Sequence, residues 1–177
     1  MKKKTLALVL ALTLLVAGVV GGTLAWLTDQ TAEVKNTFTV GDINIGLTET
    51  TTDYKMVPGN TIAKDPTVTV KANSEACWLF VKVTESTDLK DFITYAIAEG
   101  WTALPGVDGV YYREVSASAA DQTFSVLAGD AVTVKSDVTR TMLETAKTDA
   151  PTLTFQAYAI QRDHFATADA AWAEVSK

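Results

Sequence analysis

The sequence predicts an all-β fold, a β-sandwich of jelly-roll or Ig-like type with one or two short helices. Three observations predict it. Threonine occurs 27 times in the 177 residues, often next to valine, and β-branched residues suit a pleated, half-buried surface. Apolar residues alternate with a period of two in several segments, and turn-forming residues recur every 8 to 12 positions. Many short strands separated by such turns are typical of a sandwich.

Midway along the first predicted strand, the apolar side chains change from even-numbered to odd-numbered positions. Its apolar side chains are Phe38 and Val40 before the change, and Ile43, Ile45 and Leu47 after it. Because a period-two ladder cannot change faces without an extra residue, we expect a bulge or kink at Gly41-Asp42.

The next two strands alternate more simply. The second carries Val68, Val70 and Ala72 on one face. The third carries four apolar residues on one face and two aromatic residues on the other: Cys77, Leu79, Val81 and Val83, against Trp78 and Phe80. A strand that is apolar on both faces is expected to be buried on both sides. The segment Met56-Val57-Pro58-Gly59-Asn60 before these strands predicts a turn, with Pro58 at its second position and Gly59 at positive φ.

The remaining elements follow from local patterns. Residues 86–97 fit both a helical stripe and a strand, and we predict a short helix from Asp88 that becomes a strand near Thr94. Residues 101–104 and 110–115 flank a Pro- and Gly-rich turn and predict a hairpin. Further strands are expected at 123–127, 131–135 and 152–161, and a short helix at 168–175. No second domain is predicted after residue 37.

Residues 1–25 have the pattern of an export signal. Three lysines precede sixteen uncharged, mostly apolar residues, and the small residues Thr23 and Ala25 stand before the expected cut between Ala25 and Trp26. The predicted organisation is a signal peptide at 1–25, an N-terminal arm at 26–36 and the sandwich at 37–177. A retained membrane anchor is the alternative, although sixteen helical residues span only about 24 Å of a core of about 30 Å.

The charge and composition limit the classes of function that the chain is expected to have. The net charge is −6, and removal of the three leading lysines would make it −9. Such an acidic chain is not expected to bind nucleic acid. One histidine and one cysteine leave few ligands for zinc or copper, and the paired histidines of a zinc protease helix are missing. We therefore expect no cofactor, no metal site and no catalytic residues.

Candidate reactive side chains also have ordinary explanations. His164 is expected to be a surface residue and Cys77 a small buried hydrophobe. Aspartates near turns bond to the backbone more often than they bind calcium. Trp78, Trp101, Tyr111 and Tyr112 could form a sugar-stacking platform, but aromatic residues in strands are more often part of the core.

Three groups of residues resemble a known family. Residues 22–29 and 36–45 resemble the start of the TasA/camelysin family, whose members are exported through a dedicated, SipW-type signal peptidase. The turn at Pro58-Gly59, with residues 64–68 and 78–83, resembles the next block of that family, and residues 157–161 with Ala171-Trp172 resemble its C-terminal end. The resemblance implies a jelly-roll sandwich, a secreted or cell-surface location in a Gram-positive bacterium, and a role as a biofilm matrix fibre subunit.

The resemblance also implies a mode of assembly. Fibres of this family are attributed to donor-strand pairing between copies, which here points to an arm with Trp26, Leu27, Thr28 and Asp29, followed by Phe38. About 12 extended residues reach about 40 Å, and burial of Trp26 and Leu27 would contribute roughly 3–5 kcal/mol before ordering costs. The expected partners are other copies, joined head to tail, and the signal peptidase, with membrane contact only as a precursor.

Two alternatives stay open at this point. The chain could be a monomeric, secreted carbohydrate- or protein-binding module. A metalloprotease of the camelysin type is the second alternative, although the sequence lacks the motif for that chemistry. The arm could also pack on its own domain instead of a neighbour.

Overall fold

The computed structural model of the chain describes residues 42–51 and 54–177. The predicted signal peptide, the cleavage position, the N-terminal arm and Phe38 lie outside these ranges, as does Gly41 of the predicted kink. All statements below concern the described residues.

Ten strands form three antiparallel sheets. The strands are β1 Ile45–Thr48, β2 Thr61–Ala63, β3 Thr67–Val70, β4 Cys77–Glu85, β5 Ile93–Thr94, β6 Thr102–Ala103, β7 Val110–Val115, β8 Gln122–Ser125, β9 Ala131–Val134 and β10 Leu153–Gln161. Sheet 1 has the order β1-β3-β8, sheet 2 the order β10-β4-β7-β6, and sheet 3 the order β2-β9-β5. The predicted all-β sandwich class is confirmed.

Three helices complete the fold: α1 Leu89–Phe92, α2 Arg140–Ala146 and α3 Ala168–Val175. The Thr139 hydroxyl accepts a hydrogen bond from the Met142 N–H at 3.3 Å, and Thr167 does the same for Ala170 at 3.3 Å. Threonine is a favourable N-cap because it satisfies a backbone N–H that has no partner in the first helical turn, and this explains where α2 and α3 begin.

Sheets 1 and 2 enclose the central core. Its buried side chains come from one face of each sheet and include Val68 and Val70 of β3 and Leu79 and Val81 of β4. Ile43, Ile45 and Leu47 pack against them, which confirms the parity predicted for the first strand after Gly41.

The opposite face of sheet 2 forms the outer core with α3. Trp78 and Phe80 of β4 lie under Ala171 and Trp172, and the Trp172 ring contacts Phe80 at a centroid distance of 5.3 Å and Tyr158 at 5.1 Å. The prediction that β4 is buried on both faces is therefore confirmed, because each face packs on a different layer.

Most predicted elements are present within a residue or two. The turn at Pro58-Gly59 places Gly59 at φ 81°, the helix after Asp88 passes into β5, and the hairpin of β6 and β7 is paired. Two elements were not predicted. Strand β2 has only three residues and pairs with β9, and α2 packs against a third cluster of buried residues beside sheet 3.

Candidate functional site

Strand β10 is a nine-residue strand at the end of sheet 2. The Ser86 N–H donates to the Thr152 carbonyl and the Arg162 N–H donates to the Ala76 carbonyl, each at 2.9 Å. Thr152 and Arg162, the bonded residues at the two ends of β10, are both even-numbered. Hydrogen-bonded positions alternate along an antiparallel strand. The even-numbered residues of β10 therefore bond to β4, and the odd-numbered residues direct their N–H and C=O groups away from it.

This outward side of β10 is called the open β10 edge. Its backbone groups belong to Leu153, Phe155, Ala157, Ala159 and Gln161. Among residues 42–51 and 54–177, no strand pairs with this side of β10. A row of unpaired backbone donors and acceptors is a template for an added strand.

The same odd-numbered residues hold β10 in place through their side chains. Those of Leu153, Phe155, Ala157 and Ala159 pack against the central core, while Tyr158 and Ile160 pack on the outer core. The strand is thus fixed on both faces and open only at its edge, so an added strand would meet a rigid partner.

A groove lies at the start of the open β10 edge. Two depressions of about 310 and 470 Å³ share Leu153 and Thr154 in their walls. The smaller one is also lined by Leu47 and Pro66, and the larger one by Met56 and apolar residues of sheet 3. Apolar surface beside unpaired backbone is the combination that strand addition requires.

Lys64 lies buried in the wall of this groove. Its Nζ atom is 2.6 Å from Glu49 Oε1, and the exposed fractions of the two side chains are 9% and 17%. The ammonium also lies 4.7 Å from the Tyr54 ring centroid and 5.4 Å from that of Phe155. Burial and the hydrogen bond that Tyr54 donates to Glu49 raise the pKa of the Tyr54 hydroxyl. The charged pair and the rings together join the end of β1 to β10.

The remaining candidates from the sequence are spread over the fold. The predicted cleavage residues Ala25 and Trp26, and the arm residues Leu27, Thr28, Asp29 and Phe38, lie outside the described residues. The turn at Pro58-Gly59 precedes β2 and is held by a hydrogen bond from the Asn60 N–H to the Val57 carbonyl at 3.0 Å.

Cys77 and His164 lie in different environments. Cys77 is fully buried in the central core, and burial raises the pKa of its thiol to about 11. A thiol that holds its proton this strongly is a poor nucleophile near neutral pH. His164 is exposed in a short 3-10 segment, Arg162–His164, after β10. Their positions agree with the predicted buried and surface roles.

The four aromatic residues of the possible platform do not form one surface. Trp78 and Trp101 are buried, and their indole N–H groups donate to the carbonyls of Phe165 at 3.1 Å and Ser125 at 2.9 Å. Tyr111 and Tyr112 are neighbours on β7 and therefore point to opposite faces of sheet 2. The prediction that these aromatic residues belong mainly to the core is confirmed.

Comparison with known proteins identifies the family. A family model described as camelysin metallo-endopeptidase matches residues 1–89, which is just over half of the chain. The chain belongs to the camelysin family. The match runs from residue 1 through β1 to β4 and ends at the start of α1, so β10 and α3 lie beyond it. The TasA/camelysin resemblance predicted from the sequence is confirmed.

Two other comparisons add no relative. No curated protein matches the chain, and no solved structure matches it either.

The description of the camelysin family as a metallo-endopeptidase implies a metal ion held by protein side chains. The whole sequence has a single histidine and a single cysteine, and the cysteine is buried. Within 42–51 and 54–177, no three side chains of histidine, cysteine, aspartate or glutamate gather into a possible metal site. Three protein ligands, usually including histidine, hold a catalytic zinc, so these residues do not fit a zinc peptidase centre.

In the part of the chain that the structure describes, no helix is both long and apolar enough to cross a membrane.

Proposed function

We propose that this camelysin-family chain is an exported, non-enzymatic structural subunit of an extracellular matrix fibre. In this proposal, signal peptidase cuts between Ala25 and Trp26 and releases the arm at residues 26–36. The arm of one copy then pairs along the open β10 edge of the next. The observation that carries the proposal is the nine-residue edge strand, whose outward backbone groups have no partner strand among the described residues.

The lengths of the two segments agree. Eleven extended residues of the arm cover about 36 Å, and the nine residues of β10 cover about 30 Å. The arm can therefore lie along the whole edge and place its first residues, Trp26 and Leu27, beyond one end of β10. The groove at Leu153 provides apolar surface for side chains at that end.

The contact would join two different surfaces. An arm on one copy and an edge on the next form a heterologous contact, which does not close on itself unless the geometry makes a ring. Before cleavage the arm is continuous with the apolar leader, so cleavage would free it for pairing. In this way processing would control assembly.

The first test removes the arm. Secreted protein with residues 26–177 is expected to form fibres visible by electron microscopy and to scatter light increasingly with time. Protein with residues 37–177 should remain monomeric. N-terminal sequencing of the secreted protein should begin at Trp26. Equal polymerisation of both proteins would overturn the role of the arm.

The second test blocks the edge with proline. The Ala157 N–H faces the open β10 edge, so Ala157→Pro removes an outward donor and leaves the hydrogen bonds to β4 in place. Fibre growth should slow by about tenfold or more, since loss of one hydrogen bond and a new clash together cost at least about 1.4 kcal/mol.

Ala103→Pro is the matched control. The Leu104 N–H bonds to the Val110 carbonyl, so the neighbouring Ala103 directs its N–H away from β7, at the opposite edge of sheet 2. This variant should polymerise normally. A free peptide of residues 26–36 should also slow growth of the unmodified protein. Equal inhibition by both proline variants, with no effect of the peptide, would exclude β10 as the acceptor.

A further inference from the structure

The groove at the start of β10 extends past the first residue of that strand. The larger of its two depressions is lined by residues 150–152, which precede β10, as well as by Leu153. Apolar side chains from sheet 3, from α1 and from the segment before β2 form other parts of its wall: Met56, Ile62, Leu89, Ile93 and Val132. Apolar surface therefore lies beside the position that a strand on the open β10 edge reaches one or two residues beyond Leu153.

The surface beyond the other end of β10 is charged. Residues 162–164 follow the strand as a short 3-10 segment. Arg162 pairs with Glu114 at 3.1 Å, and Asp163 and His164 are exposed. Burial of an aromatic ring against charged, hydrated groups gains less free energy than burial against apolar carbon. The two ends of the open β10 edge therefore differ in the kind of side chain that each would bind.

The arm has the alternation of a strand with one charged face. Its three charged residues, Asp29, Glu33 and Lys35, all occupy odd-numbered positions, where Leu27 is the one apolar residue. The even-numbered positions carry no charge: Trp26, Thr28, Gln30, Ala32, Val34 and Asn36. Alternation with a period of two is typical of a strand that is buried on one face.

The core-facing side of β10 has room for such a face. Its four side chains pack against the central core but are only half-buried: Leu153, Phe155, Ala157 and Ala159. In contrast, Leu79 and Val81 on the same face of β4 are fully buried. Neighbouring residues of paired strands point to the same face of a sheet. If the even-numbered arm residues stand beside the odd-numbered residues of β10, the uncharged face covers these half-buried side chains and the charges point to the other face.

We propose that the arm of one copy lies parallel to β10 of the next, and that the groove at the start of β10 is the binding site for the indole ring of Trp26. This inference rests on the proposed function and adds a direction and an anchoring side chain to it. With Thr28 beside Leu153, Trp26 lies beside Pro151 in the wall of the groove. An antiparallel arm would instead place Trp26 beyond Gln161, against the charged segment. A large aromatic ring in an apolar pocket is the kind of contact that dominates the binding energy of an interface.

Disulfide cross-linking tests the direction. Two variants of the chain 26–177 carry Thr154→Cys, at an exposed position of β10, and Cys77 stays in place because it is fully buried. In a parallel arm, position 29 stands beside position 154, at a strand spacing that a disulfide can bridge. Asp29→Cys should therefore join successive copies into a ladder of covalent multimers on non-reducing gels. In an antiparallel arm, position 35 takes that place, so the matched variant with Lys35→Cys should give no ladder.

Alanine substitutions at the first two residues test the anchoring side chain. Trp26→Ala should raise at least about tenfold the concentration of unassembled protein that remains in equilibrium with fibres. Leu27→Ala is the matched control, because residue 27 lies on the charged face, and it should raise this concentration about threefold or less. Met56→Gln makes the groove wall more polar at a half-buried position. It should weaken assembly of the chain with Trp26 about threefold and have no further effect in the Trp26→Ala variant.

The outcomes separate this inference from the proposed function. A ladder from Lys35→Cys instead of Asp29→Cys, or no ladder from either variant while fibres form, would overturn the parallel direction. Equal effects of Trp26→Ala and Leu27→Ala would overturn the role of the indole ring. In each of these cases the arm could still join the copies. Absence of fibres from the unmodified chain 26–177 would contradict the proposed function itself, and this inference with it.

Discussion

Strands β4 and β10 have the same length and pair with each other at all nine positions, yet their surroundings differ. β4 lies between β10 and β7, and five consecutive residues from Cys77 are buried. Among the strands that the structure describes, β10 has a partner on one side only, and none of its residues is fully buried. Both sequences are apolar on two faces. Position in the sheet, rather than apolar content, therefore decides which of the two strands has an edge that no described strand pairs with.

The largest difference between the two strands is expected in the stability that each loses when one of its phenylalanine rings is removed. Phe80 of β4 is fully buried, so Phe80→Ala should lower the free energy of unfolding by about 3–5 kcal/mol. Phe155 of β10 is half-buried, and Phe155→Ala should cost about 1–2 kcal/mol. Urea denaturation of the two variants, followed by tryptophan fluorescence, measures both. Equal losses would contradict the comparison.

A smaller loss of stability is expected from substitutions in the turn between β6 and β7, which contacts β4. Gly109 has a φ of 70°, its carbonyl accepts the Val83 N–H at 2.7 Å, and a β-carbon there would overlap the Val83 carbonyl oxygen. Gly109→Ala should therefore cost about 2–4 kcal/mol. Gly106 in the same turn has a φ of 74° but open space around it, so Gly106→Ala should cost only about 1 kcal/mol. Thermal and urea unfolding of the two variants measure both losses, and their difference gives the cost of the clash apart from the backbone strain. Similar losses would show that the contact with β4 is unimportant.

The smallest effect is a pH dependence at the start of β4. Burial raises the pKa of the Cys77 thiol to about 11, whereas a free thiol titrates near about 8.5. Below the lower value both states keep the proton and the contribution to stability is complete. As the pH rises from about 8.5 towards 11, the unfolded chain ionises first, so the folded state loses stability. Cys77→Ala should show a shallower decline of melting temperature over this interval. Parallel declines would indicate that the thiol is not responsible.

Local patterns predicted β4 and its two buried faces well, because alternation of Cys77, Leu79 and Val81 with Trp78 and Phe80 depends only on period two. The hairpin of β6 and β7 was predictable from its Pro- and Gly-rich turn, and the helix after Asp88 from a helical stripe of apolar residues. In contrast, α2 was missed although Thr139 and the apolar residues Met142, Leu143 and Ala146 carry a capped helical pattern. Strand β2 is too short for alternation to be visible.

The sites depend on pairings that are distant in the sequence. That residues 152–161 form a strand was predicted, but its place at the end of sheet 2 follows from its pairing with β4, about 75 residues earlier. Likewise Trp101 was a candidate for the aromatic platform, but its indole N–H donates to the Ser125 carbonyl, 24 residues later, in a contact that local patterns do not predict.

The one-sided pairing of β10 has a consequence for how growth would stop. In a polymer built on this edge, one terminus always presents a vacant β10 and the other an unused arm. A copy that lacks its arm but keeps its edge could accept the unused arm of one terminus and would then end elongation there. A copy with a damaged edge would attach and then end elongation, so a small admixture of the proline variant should shorten filaments far beyond its share of the protein.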